Sequence, residues 1–194
     1  MKLRLIKPSL AYKEEILRYK NSFTFDKLNG GGGILSYDNV EDWLEYLEIM
    51  SSEDTCPSDR VLSDTYLCVN ENDKIVGMCN IRHNLSLDYL INTAGHIGYS
   101  IDPSERRKGY AKEQLRLALI EAKKLGIDRV LITCNDHNVG SRKTILANGG
   151  VLEDTRFDDE DKEMLMQDYG IEESGLDKLI NQFFMLVCLC NLIV

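Results

Sequence analysis

A basic cluster surrounds one glycine at the point where a strand-like run gives way to a helix pattern, in the segment "SIDPSERRKGYAKEQ". A helix that begins there leaves its first backbone N–H groups without partners and carries the positive end of its macrodipole. Gly109 lets the backbone approach a ligand closely, and Ala111 is small for the same reason. The basic side chains are Arg106, Arg107, Lys108 and Lys112. The segment therefore predicts an anion site suited to phosphate.

The usual phosphate-binding signatures of nucleotide-binding proteins do not occur at this turn. A dinucleotide fold needs G-x-G-x-x-G after a strand, and a P-loop needs Gly-Lys followed by Ser or Thr. The one run of glycines, "LNGGGGIL" at 28–35, also lacks the lysine and the hydroxyl. We interpret that run as a mobile lid or a connector rather than as a phosphate cradle.

Two histidines precede the basic turn, His96 on the strand that leads into it and His83 on the preceding hairpin strand. A histidine that is neutral near pH 7 can accept a proton from a reacting group. Antiparallel pairing of the two strands would bring both rings near one cleft. Each ring has two interpretations, a general base or a histidine satisfied by hydrogen bonds within the sheet.

Hydrophobic periodicity predicts the elements that must position these side chains. The best-marked start in the first quarter is a helix near Asp38, where Glu41 three residues later completes a capping-box pattern. The "NEND" between two apolar runs predicts a hairpin turn. The predicted elements are strands over 2–7, 65–70, 74–85, 96–101 and 129–135, and helices over 10–20, from 38 onward, 109–125 and 141–148.

The strand, helix and strand that span 96–135 require a parallel pair joined by a right-handed crossover. The other strands follow one another as hairpins, so this pair is set in an otherwise antiparallel sheet. The helix over 109–125 carries one apolar stripe and ends at Gly126. That stripe comprises Ala111, Leu115, Ala118, Leu119, Ala122 and Leu125. The predicted fold class is an α/β domain with a mixed sheet.

The charge of the chain is concentrated in one segment. The formal net charge is −9, and residues 153–177 contain eleven acidic and two basic residues, so the rest sums to zero. The segment is either a solvated loop or frayed helix, or a fence that attracts a cationic substrate. Apart from the turn at 104–112 there is no compact basic face, which argues against nucleic-acid binding.

Length and composition predict one domain over residues 1–194 with an ordinary core. The amino-terminal residues lack the apolar core of a signal peptide, so we expect a cytoplasmic protein. The apolar run "FFMLVCLCNLIV" at 183–194 is too short for a membrane helix and predicts a buried strand. The six cysteines lack zinc-site spacing and are interpreted as free thiols. The sequence leaves homodimer formation open.

The pattern R-x-x-G-x-A in "RRKGYA" resembles the acyl-CoA binding motif of the GNAT superfamily of N-acetyltransferases. The surrounding "GYSIDPSERRKGYAKEQLRLALIEAKKLGIDRVLITCNDHN" has that family's strand, motif, long helix and next strand in order. The continuation "NVGSRKTILANGG" is similar to the family's N-x-x-S…GF region, with Gly150 in place of the usual aromatic residue. The match extends from about 65 to 153.

The resemblance implies a GNAT fold: a mixed, mostly antiparallel central sheet of about six to seven strands with a parallel splayed pair, flanked by about four helices. It implies acetyl-CoA as cofactor. The backbone of Tyr99, Ser100 and Ile101 would pair with the pantetheine arm, and Asn138 would bind that arm near the next helix. The N–H groups from Arg107 through Gly109, Tyr110 and Ala111 to Lys112 would hold the pyrophosphate, and the side chains of Arg106, Arg107 and Lys108 would reach phosphates.

The resemblance further implies direct transfer of an acetyl group to a primary amine, either a small cationic amine or a peptide amine. An amine attacks only when unprotonated, so His96 and His83 are the candidate proton acceptors. At the position that often carries the acidic tyrosine of the family, this sequence has Ile145. The alternatives are a CoA-binding sensor without catalysis and a phosphate-binding or nucleotide-binding domain. No membrane, metal or nucleic-acid partner is expected.

Overall fold

The computed structural model describes residues 2–24, 27–157 and 165–172, which form eleven regular helices and strands. Three 3₁₀ turns, at Leu10–Tyr12, Ile34–Ser36 and Pro103–Glu105, and a π-helical turn at Leu90–Ala94 connect them. The strands are β1 Arg4–Ile6, β2 Ser63–Val69, β3 Ile75–Arg82, β4 Ile97–Ile101, β5 Arg129–Asn135, β6 Val151–Phe157 and β7 Leu165–Glu172. The helices are α1 Lys13–Asn21, α2 Val40–Ser51, α3 Tyr110–Lys124 and α4 Val139–Leu146.

The described strands form two antiparallel sheets, one in the order β1-β2-β3-β4 and one in the order β5-β7-β6. The expectation of a single mixed sheet is therefore corrected for this part of the chain. The two sheets are joined by hydrogen bonds at His96, the residue before β4, whose backbone N–H donates to the Leu131 carbonyl of β5 at 2.8 Å. Because no ladder continues from that bond among the described residues, the parallel orientation of β4 and β5 stays a prediction.

Helices cover both faces of the four-stranded sheet. On one face α1 and α2 bury Ile16, Tyr19 and Trp43 against apolar residues of β2 and β3. On the other face α3 packs between the two sheets and joins them in a second core. The predicted stripe of α3 supplies that core through Leu115, Ala118, Leu119 and Ala122, whereas Leu125 at the end of the helix is exposed.

Two details of the sequence prediction are wrong. The residue that caps α2 is Asn39, whose side chain accepts from the Asp42 N–H at 2.8 Å, so the capping pair lies one residue beyond Asp38 and Glu41. The acidic segment is not a loop or helix where it is described, since Glu153 and Asp154 belong to β6 and Glu172 to β7. The predicted carboxy-terminal strand over 183–194 lies outside the described residues.

The buried carboxylate of Asp102 fastens α1 to the end of β4. Its Oδ2 accepts from Arg18 Nη1 at 2.5 Å, and its Oδ1 accepts from the Ser104 N–H and hydroxyl at 2.9 and 2.7 Å. Arg18 also donates to the Ile75 carbonyl at 2.6 Å. Burial alone would raise the pKa of Asp102, but the hydrogen bonds from Arg18 and Ser104 outweigh it and hold the pKa below its ordinary 3.8.

In the described ranges, neither a disulfide nor a membrane-spanning helix contributes to the fold. Cys68, Cys79 and Cys134 are buried and Cys56 is half-buried, and these four cysteines form no disulfide. Burial raises the pKa of the Cys79 thiol to about 12, which keeps it protonated at neutral pH. Among the helices of the described ranges, none has the length and apolar character needed to cross a membrane.

We expect Asp102→Asn to lower the free energy of unfolding by roughly 3 kcal/mol, because it leaves the Arg18 charge without its buried partner. The carboxylate has a depressed folded pKa, so its contribution is complete above the unfolded value near 3.8 and is lost as pH falls through the folded pKa. Denaturant titrations of both proteins should therefore differ by a constant amount from pH 7 to 5 and converge below pH 3.8.

The matched control is Asp73→Asn, which removes an exposed carboxylate paired with Arg4. That pair lies on the surface, so we expect a loss of less than about 1 kcal/mol. An equal effect of the two substitutions would contradict the role given to Asp102.

Candidate functional site

The predicted anion turn is present and points outward at the start of α3. Arg107 and Gly109 have φ values of 66° and 84°, and Gly109 is the residue that caps the helix. A Cβ at Gly109 would meet no described atom within 4 Å, so the left-handed backbone alone favours glycine here. The N–H of Glu113 bonds back to the Gly109 carbonyl at 3.4 Å. The N–H groups of Tyr110, Ala111 and Lys112 precede that bond and have no helical acceptor.

The basic side chains of the turn differ in their availability. Lys108 donates to Glu105 at 2.7 Å, and Glu105 also accepts from Lys74 at 2.6 Å. Arg106 donates from Nε to the Ile101 carbonyl at 3.4 Å and lies 6.0 Å from the centre of the Phe23 ring. Arg107 and Lys112 are exposed. The geometry therefore gives an anion at least two solvent-facing cations besides the backbone.

Strand β4 offers an unpaired edge next to this turn. It pairs with β3 on one side and is the last strand of its sheet. Beyond the contact of His96 with Leu131, the backbone of Tyr99, Ser100 and Ile101 has no strand partner on the other side in the part of the chain described. An extended ligand can add to such an edge through its own amide groups.

The side chains of β4 alternate between two faces of the sheet. Tyr99 points to α4, where its hydroxyl lies 2.8 Å from Ser141 Oγ, and burial raises its pKa to about 12. Ser100 points the other way, to the carbonyl of Asn29 at 2.6 Å and to the hydroxyl of Tyr19 at 3.1 Å. Tyr99 therefore connects β4 to the helix that follows β5, and Ser100 connects β4 to the glycine run.

Asn138 and Ile145 lie at the two ends of α4. Asn138 caps this helix, with its side-chain carbonyl accepting from the Ser141 N–H at 3.0 Å. Its Nδ2 forms no hydrogen bond within the described residues, so the amide can still donate. Ile145 is fully buried in the core between the two sheets. A residue at that depth without an ionisable group cannot supply a proton.

The structure separates the two candidate histidines. His96 accepts the Leu131 N–H at its Nδ1, at 3.0 Å. Because a backbone N–H can only donate, the neutral ring of His96 has its proton on Nε2. Burial, followed by the positive charges of Arg82 and Arg129, lowers the pKa of His96 to about 4. The lone pair of Nδ1, which would have to accept a proton, is already engaged by the Leu131 N–H. This arrangement weighs against a role of His96 in proton abstraction.

His83 instead faces β2. Its ring Nε2 lies 2.9 Å from Asp64 Oδ2, and its backbone N–H donates to the Leu62 carbonyl at 2.9 Å. Asp64 also pairs with Lys7, and hydrogen bonds from Lys7 and His83 outweigh its burial and lower its pKa. A carboxylate that orients a histidine is typical of a general base. Strand alternation nevertheless puts this ring on the face opposite to Asn80 and Arg82, so the two predicted residues are not brought together.

A cleft of about 280 Å³ opens beside β4, on the face that carries Ser100. The glycine run forms one wall, and it is packed rather than open: Trp43 Nε1 donates to the carbonyls of Gly31 and Gly32, each at 3.1 Å. A Cβ at Gly30 would come within 2.3 Å of the Gly98 carbonyl, so this close approach requires glycine. The glycine run is therefore a structural wall of the cleft.

Sequence reasoning missed the opposite wall, which consists of Asn80 and Arg82 on β3. The available signal was the alternation in "GMCNIRH", where Met78, Asn80 and Arg82 share one face of an otherwise apolar strand. A polar amide and an arginine on the inner face of a central strand indicate a site rather than a core.

Known proteins support the same architecture. The model of the acetyltransferase (GNAT) domain matches residues 2–151. The spermidine N-acetyltransferase from Vibrio cholerae, solved with CoA and spermine, has a TM-score of 0.61 at 16% identity, over 90% of this chain and 97% of that one. No curated protein sequence matches the chain.

Two further solved structures share the fold at low identity. The microcin C7 self-immunity acetyltransferase MccE, in complex with acetyl-CoA and AMP, has a TM-score of 0.60 at 20% identity, over 88% of this chain and 92% of that one. An acetyltransferase of the GNAT family from Bacillus anthracis has a TM-score of 0.58 at 17% identity, over 90% and 96% of the two chains.

We expect the His96 ring to stay neutral, with its proton on Nε2, from pH 7 down to about pH 5. In the unfolded chain the His96 ring gains its second proton near pH 6.5. The contribution of His96 to stability is therefore present above pH 6.5 and is lost as pH falls towards 4. Long-range ¹H–¹⁵N spectra recorded across this range report both the tautomer and the pKa.

His96→Gln identifies the signal of this ring by removing it, and the variant should also show a weaker loss of stability between pH 6.5 and 4. A ring that is protonated at pH 6, or that has its proton on Nδ1, would contradict the geometry.

Proposed function

Because the chain belongs to the GNAT family of acetyltransferases, we propose that it transfers an acetyl group from acetyl-CoA to a primary amine by direct attack. The observation that carries this proposal is that the β4 edge, which has no strand partner among the described residues, leads into an exposed helix start at Gly109. A pantetheine arm has amides for such an edge, and a pyrophosphate suits such a helix start. A simple phosphate site would need only the second feature.

The residues present fit coenzyme A. The edge of Tyr99, Ser100 and Ile101 has no strand partner among the described residues, although the Ile101 carbonyl already accepts from Arg106 Nε. The N–H groups of Tyr110, Ala111 and Lys112 are free to hold phosphate oxygens. Asn138 keeps an amide for the same ligand. Acetyl-CoA is the acetyl donor of the family, and its thioester supplies the activated acyl group. Strand β4 supplies backbone N–H donors that polarise a carbonyl bound against it.

The cleft beside Gly98 is the proposed entrance for the amine. It lies on the Ser100 face of β4, next to the segment proposed to hold the acyl end of the cofactor. A general base needs a lone pair that is free to accept a proton and a position on the cleft. Each predicted proton acceptor has only one of these two properties. His83 is oriented by a carboxylate but faces away from the cleft, and His96 lies on the cleft side but uses its lone pair. We propose that the amine loses its proton to water in the cleft.

The second candidate function is a CoA-binding sensor, and the observation that favours it is the burial of Ile145. Without an acid at that position, the leaving thiolate takes its proton from solvent or from another residue. The cytoplasmic location, the homodimer and the single domain over 1–194 stay predictions.

We expect the protein to release CoA thiol from acetyl-CoA when a suitable primary amine is added, and we expect the product to be the N-acetyl amide. The measurement is a thiol-release assay over a panel of amines, with mass spectrometry of the product. Binding of CoA without turnover of any amine would support the sensor and overturn the enzyme.

We expect Gly109→Val to lower the affinity for CoA by at least tenfold, because a β-branched residue opposes the left-handed backbone and covers the approach to the helix start. Gly126→Val is the matched control, since Gly126 also has a positive φ of 76°, has no described atom within 4 Å of an added Cβ, and lies at the other end of α3.

Both variants should lose similar thermal stability, while only Gly109→Val loses CoA affinity in calorimetric titrations. Equal CoA affinity of the two variants would mean that the pyrophosphate binds elsewhere.

A further inference from the structure

The described walls of the cleft beside Gly98 carry positive charge and no negative charge. Arg82 and Arg60 line it together with Asn80, Ser63 and two tyrosines, and no described residue on its walls is an aspartate or glutamate. A cleft of one sign concentrates ligands of the other sign. Its volume of about 280 Å³ suits a small molecule rather than a folded partner.

Arg82 is held in place without a carboxylate. Its Nη1 donates to the carbonyls of Ala94 and Gly95 at 3.2 and 2.9 Å, and no described residue forms an ion pair with it. Burial lowers the pKa of its guanidinium from the ordinary 12.5, although the group stays charged at neutral pH. Other partly buried arginines are paired, Arg18 with Asp102 and Arg116 with Glu113. A charge that is desolvated without a partner is costly unless a ligand completes it.

The free end of Arg82 lies beside Gly98 of β4. Its Nη2 lies 3.8 Å from the position that a Cβ of Gly98 would occupy, and Gly98 directly precedes Tyr99 on β4. Nη2 has no hydrogen-bond partner among the described residues. An anionic group held there is within a few atoms of an amine that attacks at the β4 edge.

The glycine wall adds backbone donors. In the described chain, the N–H groups of Gly30, Gly31, Gly32 and Gly33 donate no hydrogen bond. Trp43 binds the carbonyls of Gly31 and Gly32 from the core side, and a trans peptide directs its N–H opposite to its carbonyl. The N–H groups of Gly32 and Gly33 therefore point away from the buried indole. Successive N–H groups in a glycine turn with positive φ form an anion-binding concavity.

We propose that the acceptor amine carries an oxyanion, a carboxylate or a phospho group, close to its amino group, and that Arg82 binds this oxyanion with support from Arg60 and the glycine wall. This inference rests on the proposed acetyl transfer and names the class of amine. An α-amino acid and an aminoalkyl phosphonate both have the required spacing. The arginine guanidinium suits either because its donors match two oxygens at once.

A polyamine is a poor match for the same cleft, since its ammonium groups would meet two arginines and no carboxylate on the described walls. Three acidic residues of the carboxy-terminal strands are engaged elsewhere: Glu153 and Glu172 pair with Arg129, and Asp154 pairs with Arg156. They give no support to a cationic acceptor at this cleft.

The test uses pairs of amines that differ only in the anionic group. The pairs are phenylalanine and phenethylamine, lysine and cadaverine, and 2-aminoethylphosphonate and ethylamine. We expect kcat/KM for one anionic member to exceed that of the partner that lacks the anionic group by roughly 10- to 100-fold. The phosphonate pair distinguishes a phospho group from a carboxylate. An equal or higher kcat/KM for the members that lack the anionic group would overturn the inference and leave the acetyltransferase in place.

Arg82→Gln should reduce that ratio at least tenfold, mainly through KM of the anionic amine, and Arg82→Lys should restore part of it. Arg4→Gln is the control for charge, because it removes an exposed arginine on β1 outside the cleft and should leave the ratio unchanged. A ratio that stays at the wild-type value in a folded Arg82→Gln variant would show that Arg82 only braces Ala94 and Gly95.

A binding measurement separates the two proposals. With CoA at saturation, calorimetry should detect N-acetylphenylalanine but not N-acetylphenethylamine, and Arg82→Gln should abolish the signal. If that binding is found while no amine is acetylated, the anion subsite stands and the proposed function fails. If neither compound binds and the amines are acetylated without preference, the function stands and the subsite fails.

Discussion

The buried ion pair of Arg18 with Asp102 is the interaction that keeps both halves of the site together. Arg18 lies on α1, which leads into the glycine wall of the cleft, and Asp102 ends β4 and starts the turn towards Gly109. The same carboxylate accepts both donors of Ser104. The pair therefore ties the helix that precedes the glycine wall to the turn that precedes α3, and removal of either partner would leave an uncompensated buried charge.

The turn before α3 and the cleft offer different donors to negative charge. At the turn the donors are backbone N–H groups and exposed cations, which suit the proposed pyrophosphate because a large anion there would remain partly in water. In the cleft the main donor is Arg82, which is half-buried and pinned by two carbonyls. A charge in such a place interacts more strongly with a small ligand because less water screens it. We propose that the first feature holds the donor of the acetyl group and that the second recognises the acceptor.

Local patterns predicted the elements and the anion turn well and failed where the outcome depended on distant residues. Strand β5 has the predicted bounds, and α3 starts one residue after its predicted first residue. The cap of α2 was misplaced by one residue, because Asp38 and Asn39 are adjacent and both residue types are good caps. The division into two sheets was missed because it depends on how far β4 and β5 diverge after the hydrogen bonds between His96 and Leu131.

The sequence by itself determined the turn at Gly109, since a left-handed glycine, a helix start and neighbouring cations are all local features. It also determined which segments form strands and helices through the periods of their apolar residues. Only the tertiary structure decided the roles of His96, His83 and Arg82. Each is a polar residue on or beside a strand, and its chemistry depends on which backbone atom or carboxylate the fold brings to it. Leu131 engages the lone pair of His96, Asp64 draws His83 to the other face, and Arg82 alone of the three faces the cleft with a donor to spare.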